Sequence, residues 1–313
     1  MTSQAVNRWL VRFYILVFLL YLFGPLAVMG VTAFNSASYP SVVPFEGFTL
    51  NWFATLLRDQ EVMLGLRTSL WVGLLVVLVS VPIGLAGAIV LTQVYARARG
   101  FYYLVVVSPV LTPGVIIGIS TVVFWRDVTG ATGLRFLYDG IVMTVLAQAS
   151  FISAYCMLIL LARLQRFDRA QEEAALDLGA SHAQVFRHVL LPFLRPAIFS
   201  AAVLAFLSSF ENYNTTTFAI LAEKTLTTVL AGRVRQGTTP AISALAVLIV
   251  AVTVLGAVAY EILKRREEAR ARRRREAAEA VDAQSASALV TPADAPVPAR
   301  PAQPNAQPAA EAQ

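Results

Sequence analysis

Residues 167–196 read FDRAQEEAALDLGASHAQVFRHVLLPFLRP, a polar stretch set between long apolar runs. Asp168, with Gln171 three residues later, predicts a helix N-cap and its reciprocal partner. A short helix then carries Glu172 to Leu178 and stops at Gly179, which can take the left-handed conformation that ends many helices. Ser181 and Gln184 repeat the capping signature and start a second helix, which Pro192 is expected to end. Ala174, Ala175 and Leu178 share a face of the first helix; Val185 with Val189, and Phe186 with Leu190, share faces of the second. The reading is a compact polar elbow with one apolar side, shaped to be gripped.

On both sides of the elbow the chain is too apolar for a soluble protein. It is 57% hydrophobic and 14% charged over 313 residues, with a mean hydropathy of +0.65. Six stretches, at roughly 13–34, 69–91, 101–124, 141–162, 197–221 and 241–263, approach the ~20 residues a bilayer helix needs. Backbone groups in lipid must be satisfied within the segment, so these are read as helices. The fold class is therefore an all-α integral membrane protein of six transmembrane helices, with the elbow between spans four and five.

The chemistry-bearing residues exclude more than they suggest. Cys156 is the single cysteine and falls within span four, with nothing beside it to activate a thiol. His182 and His188 lie on the elbow, too few and badly spaced for a metal site. No metal, cofactor or catalytic residue is expected. The only lysines, Lys224 and Lys264, do not close a G-x-x-x-x-G-K-[ST] loop, so ATP is not bound here by that phosphate cradle.

Glu173-Ala174-Ala175, then Gly179, then Val189-x-Leu191-Pro192 resembles the EAA signature of permease subunits in binding-protein-dependent ABC importers. Val189 stands where that family usually has isoleucine. The resemblance covers roughly residues 10–265 and implies an inner-membrane subunit that is not an enzyme. It implies that Glu172, Glu173, Ala174, Ala175, Asp177, Gly179, Ala180, Leu191 and Pro192 form the surface docking on a cytoplasmic ABC ATPase dimer. It also implies a second, related permease chain and a periplasmic solute-binding protein as partners.

Basic residues set the orientation. With the elbow inside, Arg8, Arg12, Arg97, Arg99, Arg163, Arg166, Arg169, Arg187 and Arg195 face the cytoplasm. They outnumber Arg58, Arg67, Arg126, Arg135, Lys224, Arg233 and Arg235 only narrowly. The basic run after Lys264 decides it, placing both termini in the cytoplasm. Residues 1–12 are then a cytoplasmic N-terminus, and 13–263 the permease domain with its coupling elbow at 167–196. Residues 264–280 (KRREEARARRRREAAEA) read as a basic juxtamembrane helix that attracts anionic lipid rather than nucleic acid. The Ala/Pro-rich 281–313 reads as a disordered tail.

Two spans carry features beyond spanning. Span three holds Pro109, Pro113, Gly114 and Gly118, which suits either a broken helix lining a cavity or a simple proline kink. Span five ends in the cluster Ser208, Ser209, Glu211, Asn212, Asn214, Thr215, Thr216 and Thr217. On a continuous helix Glu211, Asn214 and Thr215 share one face, past the midplane. A carboxylate at that depth reads as part of a translocation pathway, together with Asn212, or as the buried partner of Arg126 or Arg135. SFENYNTTTF, and the spacing of Arg235, Gly237 and Pro240 after it, resemble the polyamine-importer branch, which carries acidic residues in this span. The implied solute is spermidine or putrescine. Related branches carry ferric ion, thiamine or phosphonates. An ion-coupled carrier would want more intramembrane ionisable groups and an internal repeat.

Overall fold

The computed structural model describes residues 3–256 and, beyond them, 258, 261, 262, 265, 266 and 269. Its elements are α1 (Ser3–Phe34), α2 (Asn51–Arg58), α3 (Gln60–Gln93), α4 (Ala96–Leu111), α5 (Gly114–Thr132) and α6 (Gly140–Leu164). The elbow follows as α7 (Ala170–Asp177) and α8 (His182–Val185), joined through a π turn at Phe186–Leu190 to α9 (Leu191–Phe210). Then come the single-turn α10 (Thr216–Ala219), α11 (Leu226–Gln236) and the apolar helix α12 (Pro240–Gly256). Residues Met1–Leu248 form one compact unit; in the other, Arg265 pairs with Glu261 at 2.7 Å.

Helices α3, α6 and α9 pack together as the centre of the bundle. Their shared core is made of Val72, Val76 and Ala88, of Ile152, Cys156, Met157 and Leu160, and of Ala201 and Ala205, all buried. Small residues let the backbones meet, as interhelical packing in lipid requires. At Gly84 a Cβ would lie 2.6 Å from the Cys156 Cβ and 2.8 Å from the Met157 nitrogen. Cys156 is thus a packing residue. By contrast, α1 exposes a long apolar face, and its end engages the unit through buried Ala33 and a Thr32 hydroxyl bonded to Ser243.

Among the described residues five helices are long and apolar enough to cross a membrane: Asn7–Phe34, Gln60–Gln93, Gly114–Thr132, Gly140–Leu164 and His182–Phe210. The apolar stretch at 101–124 is two helices, α4 and α5, parted at Thr112–Pro113. Proline disfavours helical geometry in the residue before it and has no N–H to give, so the break falls there. The expected fifth span, 197–221, also fails as one helix and stops at Phe210. Pro192 does not end the second elbow helix. The π turn before it sets the Leu191 N–H on the Phe186 carbonyl, five residues back. Proline then sits in the first turn of α9, where no amide donor is needed. Most of the basic segment 264–280, and all of 281–313, lie outside the described residues.

The contact at Gly84 gives a test with opposed signs. Alanine normally improves a helix interior over glycine by about 1 kcal/mol. Gly130→Ala, with nothing within 4 Å of the new methyl, should be neutral or stabilising in thermal unfolding. Gly84→Ala should cost about 1–3 kcal/mol, because the atoms in the way are mostly backbone.

Candidate functional site

The elbow is built from local signals. The Asp168 Oδ1 accepts the Ala170 N–H at 3.0 Å, but the N-cap of α7 is Arg169, one residue later than expected, and no side-chain bond caps it. At its other end Gly179 sits at φ +84°, with its N–H on the Leu176 carbonyl and the Ala180 N–H on the Ala175 carbonyl. This is the paired bonding of a Schellman turn, which a residue bearing a Cβ adopts only under strain. Ser181 and Gln184 then form the expected capping box, the Gln184 Oε1 accepting the Ser181 N–H at 2.7 Å.

Between the two helices lies a cleft of about 350 Å³, lined by Ala175, Leu178, Gly179, Ala180, Val185 and His188 among others. Leu178 is 89% exposed, so the apolar side anticipated for α7 is not covered within the chain. Glu173 and Asp177 are exposed and Glu172 is half-buried, while Leu191 and Pro192 lie half-buried where α9 begins. Both histidines are exposed; the His188 Nδ1 lies 3.1 Å from the Gln184 carbonyl, and no metal-binding cluster occurs among the described residues.

The polar cluster at 208–217 is a helix break rather than a helical face. The Asn212 Oδ1 accepts the N–H groups of Thr215 at 3.1 Å and Thr216 at 3.2 Å, and the Thr216 hydroxyl as well. Asparagine competes with helix in this way, by offering the backbone a local acceptor. The Gln148 Nε2 donates to the Thr216 hydroxyl at 2.8 Å, while the Ser209 hydroxyl donates to the Gln148 Oε1. Gln148 is fully buried in α6 and was not singled out from sequence, although an amide within an apolar span was signal enough. Thr215 is buried against α5: a Cβ at Gly118 would meet its carbonyl oxygen at 2.6 Å.

Glu211, Asn214 and Thr215 therefore do not share one helical face. Thr215 faces protein and Asn212 serves the backbone, whereas Glu211 and Asn214 are exposed. Glu211 forms no ion pair among the described residues, and Arg126 is engaged by Asp127 at 3.1 Å. Glu211 is exposed and is paired with neither Arg126 nor Arg135 among the described residues, against the buried-pair reading.

Beyond the break, α11 is held to the start of α3 by charges. The Arg233 guanidinium forks onto the two Asp59 oxygens, one contact being 2.9 Å, and reaches Glu61 at 3.2 Å. Lys224 closes on Glu61 at 2.6 Å. The bond from Arg233 holds the Asp59 carboxyl below its ordinary 3.8, and the same bond pushes the Arg233 guanidinium up. Sequence reading missed this pair, whose members are 174 residues apart.

Residues 80–269, which run from the middle of α3 through the elbow, the break and α12, match the family of binding-protein-dependent transport system inner membrane components. The chain belongs to this family. It is an inner-membrane, multi-pass permease subunit of an ABC importer; ATP is hydrolysed by a separate chain, and the permease is not an enzyme. The putrescine transport system permease protein PotI of Escherichia coli K12 is 32% identical over 257 residues, 80% of this permease and 90% of the relative. The spermidine/putrescine permease PotC of the same strain is 24% identical, covering 78% of this chain and 90% of that one. Among solved structures, a bacterial alginate ABC transporter in complex with its pentasaccharide-bound periplasmic protein aligns with a TM-score of 0.61. It shares 20% identity over 82% of this permease and 92% of that chain, a likeness that establishes the fold alone.

The Asp59–Arg233 pair makes a pH-dependent prediction. A carboxylate whose pKa is depressed by folding contributes stability above its unfolded value of about 3.9, and that contribution is lost as pH falls through the lower folded value. Arg233→Gln should cost about 1–2 kcal/mol at pH 7. In unfolding measured in nanodiscs, the gap between wild type and variant should shrink once the pH falls below about 4. A gap of constant size would mean that Asp59 is not the partner that matters.

Proposed function

We propose that this permease carries a polyamine, putrescine or spermidine, through a pathway formed with a second, related permease chain. Six spans, with α12 belonging to the sixth, place both termini and the elbow in the cytoplasm. A periplasmic binding protein delivers the solute, and a cytoplasmic ABC ATPase dimer docks on the elbow through Glu172, Glu173, Ala174, Ala175, Asp177, Gly179, Ala180, Leu191 and Pro192. The observation that carries this reading is the elbow cleft, a rigidly turned surface whose most exposed apolar residue, Leu178, has no cover in its own chain. Identity of 32% to a putrescine permease supports the solute class.

At the break, Glu211 and Asn214 face the pathway. An ammonium group is strongly hydrated, and a carboxylate without a partner offsets part of the cost of stripping that water. The Asn214 amide oxygen can accept from the same cation. Asn212 and Thr215, read from sequence as pathway residues, are assigned here to holding the break in shape. The attraction stays modest because cargo must leave as well as enter.

Gly179→Val strains the left-handed turn by about 1–3 kcal/mol, and Glu173→Lys reverses a charge on the docking face. Both variants should reach normal membrane levels yet lose uptake and co-purify poorly with the ATPase. Full transport by an intact complex in either one removes the docking role. Glu211→Gln should assemble normally, keep basal ATP hydrolysis and take up labelled putrescine more slowly. Uptake at the wild-type rate would show that Glu211 neither selects nor conducts.

A further inference from the structure

The elbow end of the bundle carries a second cleft, which shares no lining residue with the elbow cleft although its Arg169 adjoins the start of α7. About 250 Å³ in size, it opens between the ends of α3 and α6 and the start of α4, with Leu91, Leu164 and Phe167 as apolar lining and Arg99 and Arg169 as its charges. Arg99 comes from the first turn of α4, which contains no acidic residue. Arg169 comes from the link into α7 and spends one N–H on the Thr92 carbonyl at 3.5 Å. A guanidinium has five N–H donors, so most of those on both arginines are left for a ligand.

No carboxylate lines the cleft, and among the described residues neither arginine is in an ion pair. Glu172 lines an adjoining cleft that also touches Arg169, which bounds the positive region on that side. Two guanidiniums without a counter-charge repel each other, and one anion between them turns that repulsion into attraction. Planar guanidinium forks match phosphate geometry, and a low-dielectric wall strengthens the contact.

The surface beside the cleft points to the kind of phosphate. Along α4 beyond Arg99, Phe101 is 74% exposed and Leu104 65% exposed, with Val105 exposed next to them. A soluble phosphate would use the arginines and leave that strip bare. A phospholipid uses both, with its headgroup on the guanidiniums and its chains along α4. Basic pockets between membrane helices take lipid headgroups in this way.

We propose that the cleft of Arg99 and Arg169 binds the phosphate headgroup of an anionic phospholipid. The site depends on the helices spanning a bilayer and not on which side the elbow faces, because both leaflets can carry the lipid. It is separate from the basic segment after Lys264 and should persist without it.

The test uses the assembled importer in phosphatidylcholine nanodiscs with and without phosphatidylglycerol, and counts retained lipid by native mass spectrometry. Arg99→Gln and Arg169→Gln should each weaken phosphatidylglycerol retention about fivefold, and together about 25-fold. Arg99→Lys, which keeps the charge but loses the planar fork, should retain an amount between wild type and Arg99→Gln. Arg195→Gln, which removes an exposed charge from the same end, should change nothing. Thermal unfolding in phosphatidylcholine alone should match between wild type and the double variant, so that lost retention reports the site and not the fold. Equal retention by wild type and the double variant overturns the proposal. So does inorganic phosphate that displaces the lipid and stabilises the protein equally, which would make this a free-phosphate site. Lipid held by the permease pair but expelled by the bound ATPase also overturns it, since the cleft would then belong to that partner.

Discussion

A membrane helix cannot simply stop: each amide and carbonyl freed by the break needs a partner that lipid does not supply. The fifth membrane helix stops at Phe210, and much of the surrounding structure answers that demand. Asn212 takes the loose N–H groups, Gln148 in α6 ties Ser209 to Thr216, and the Thr227 hydroxyl donates to the Asn212 carbonyl. The returning chain is sealed in turn where the Ser69 hydroxyl of α3 accepts the Leu226 N–H at 2.9 Å. Neighbouring helices must come close enough to do this, and small residues allow it. A Cβ at Gly140 would lie within 2.1 Å of the Ile220 carbonyl oxygen. The break is therefore a specified feature, and the side chains it leaves exposed, Glu211 and Asn214, stand out against it.

The same helix begins at the elbow. His182–Phe210 is 29 residues without a stop, about 40 Å at 1.5 Å per residue. It is one element only because the π turn at Phe186–Leu190 absorbs Pro192. In the functional reading offered here, that continuity matters more than any single contact. On that reading, a push on the proposed docking surface would be delivered, through one packed helix, to the place where Glu211, the proposed pathway carboxylate, sits. Ala197, Ala201 and Ala205 run along the buried side of α9, so the helix can ride closely on α3 and α6.

How much of this was legible from the sequence divides along chain distance. Gly179, and Ser181 with Gln184, were readable because a Schellman turn and a capping box are completed within a few residues. The spanning character of α3, α6 and α9 followed from apolar runs. The break was not readable. Glu211, Asn214 and Thr215 have perfectly good helical spacing; what defeats it is the Asn212 side chain taking the Thr215 and Thr216 N–H groups, in a conformation held by an amide on another helix, 68 residues from Thr216. Pro192 misled for a related reason: a proline ends a helix only if an amide was required there, and a π turn removes the requirement. Arg233 was read as one more charge in an orientation count, because Asp59 lies far away in the chain.

The account stands or falls on whether the elbow meets the ATPase. Cys156 is the only cysteine, so Leu178→Cys in a Cys156→Ser background places one accessible thiol at the rim of the elbow cleft. Cross-linking of that thiol to the ATPase in native membranes is the most direct measurement. The account predicts a cross-linked pair whose yield changes when ATP is added, and no labelling of intact cells by a membrane-impermeant maleimide. A thiol labelled from outside, or an intact importer in which it never reaches the ATPase, would contradict it.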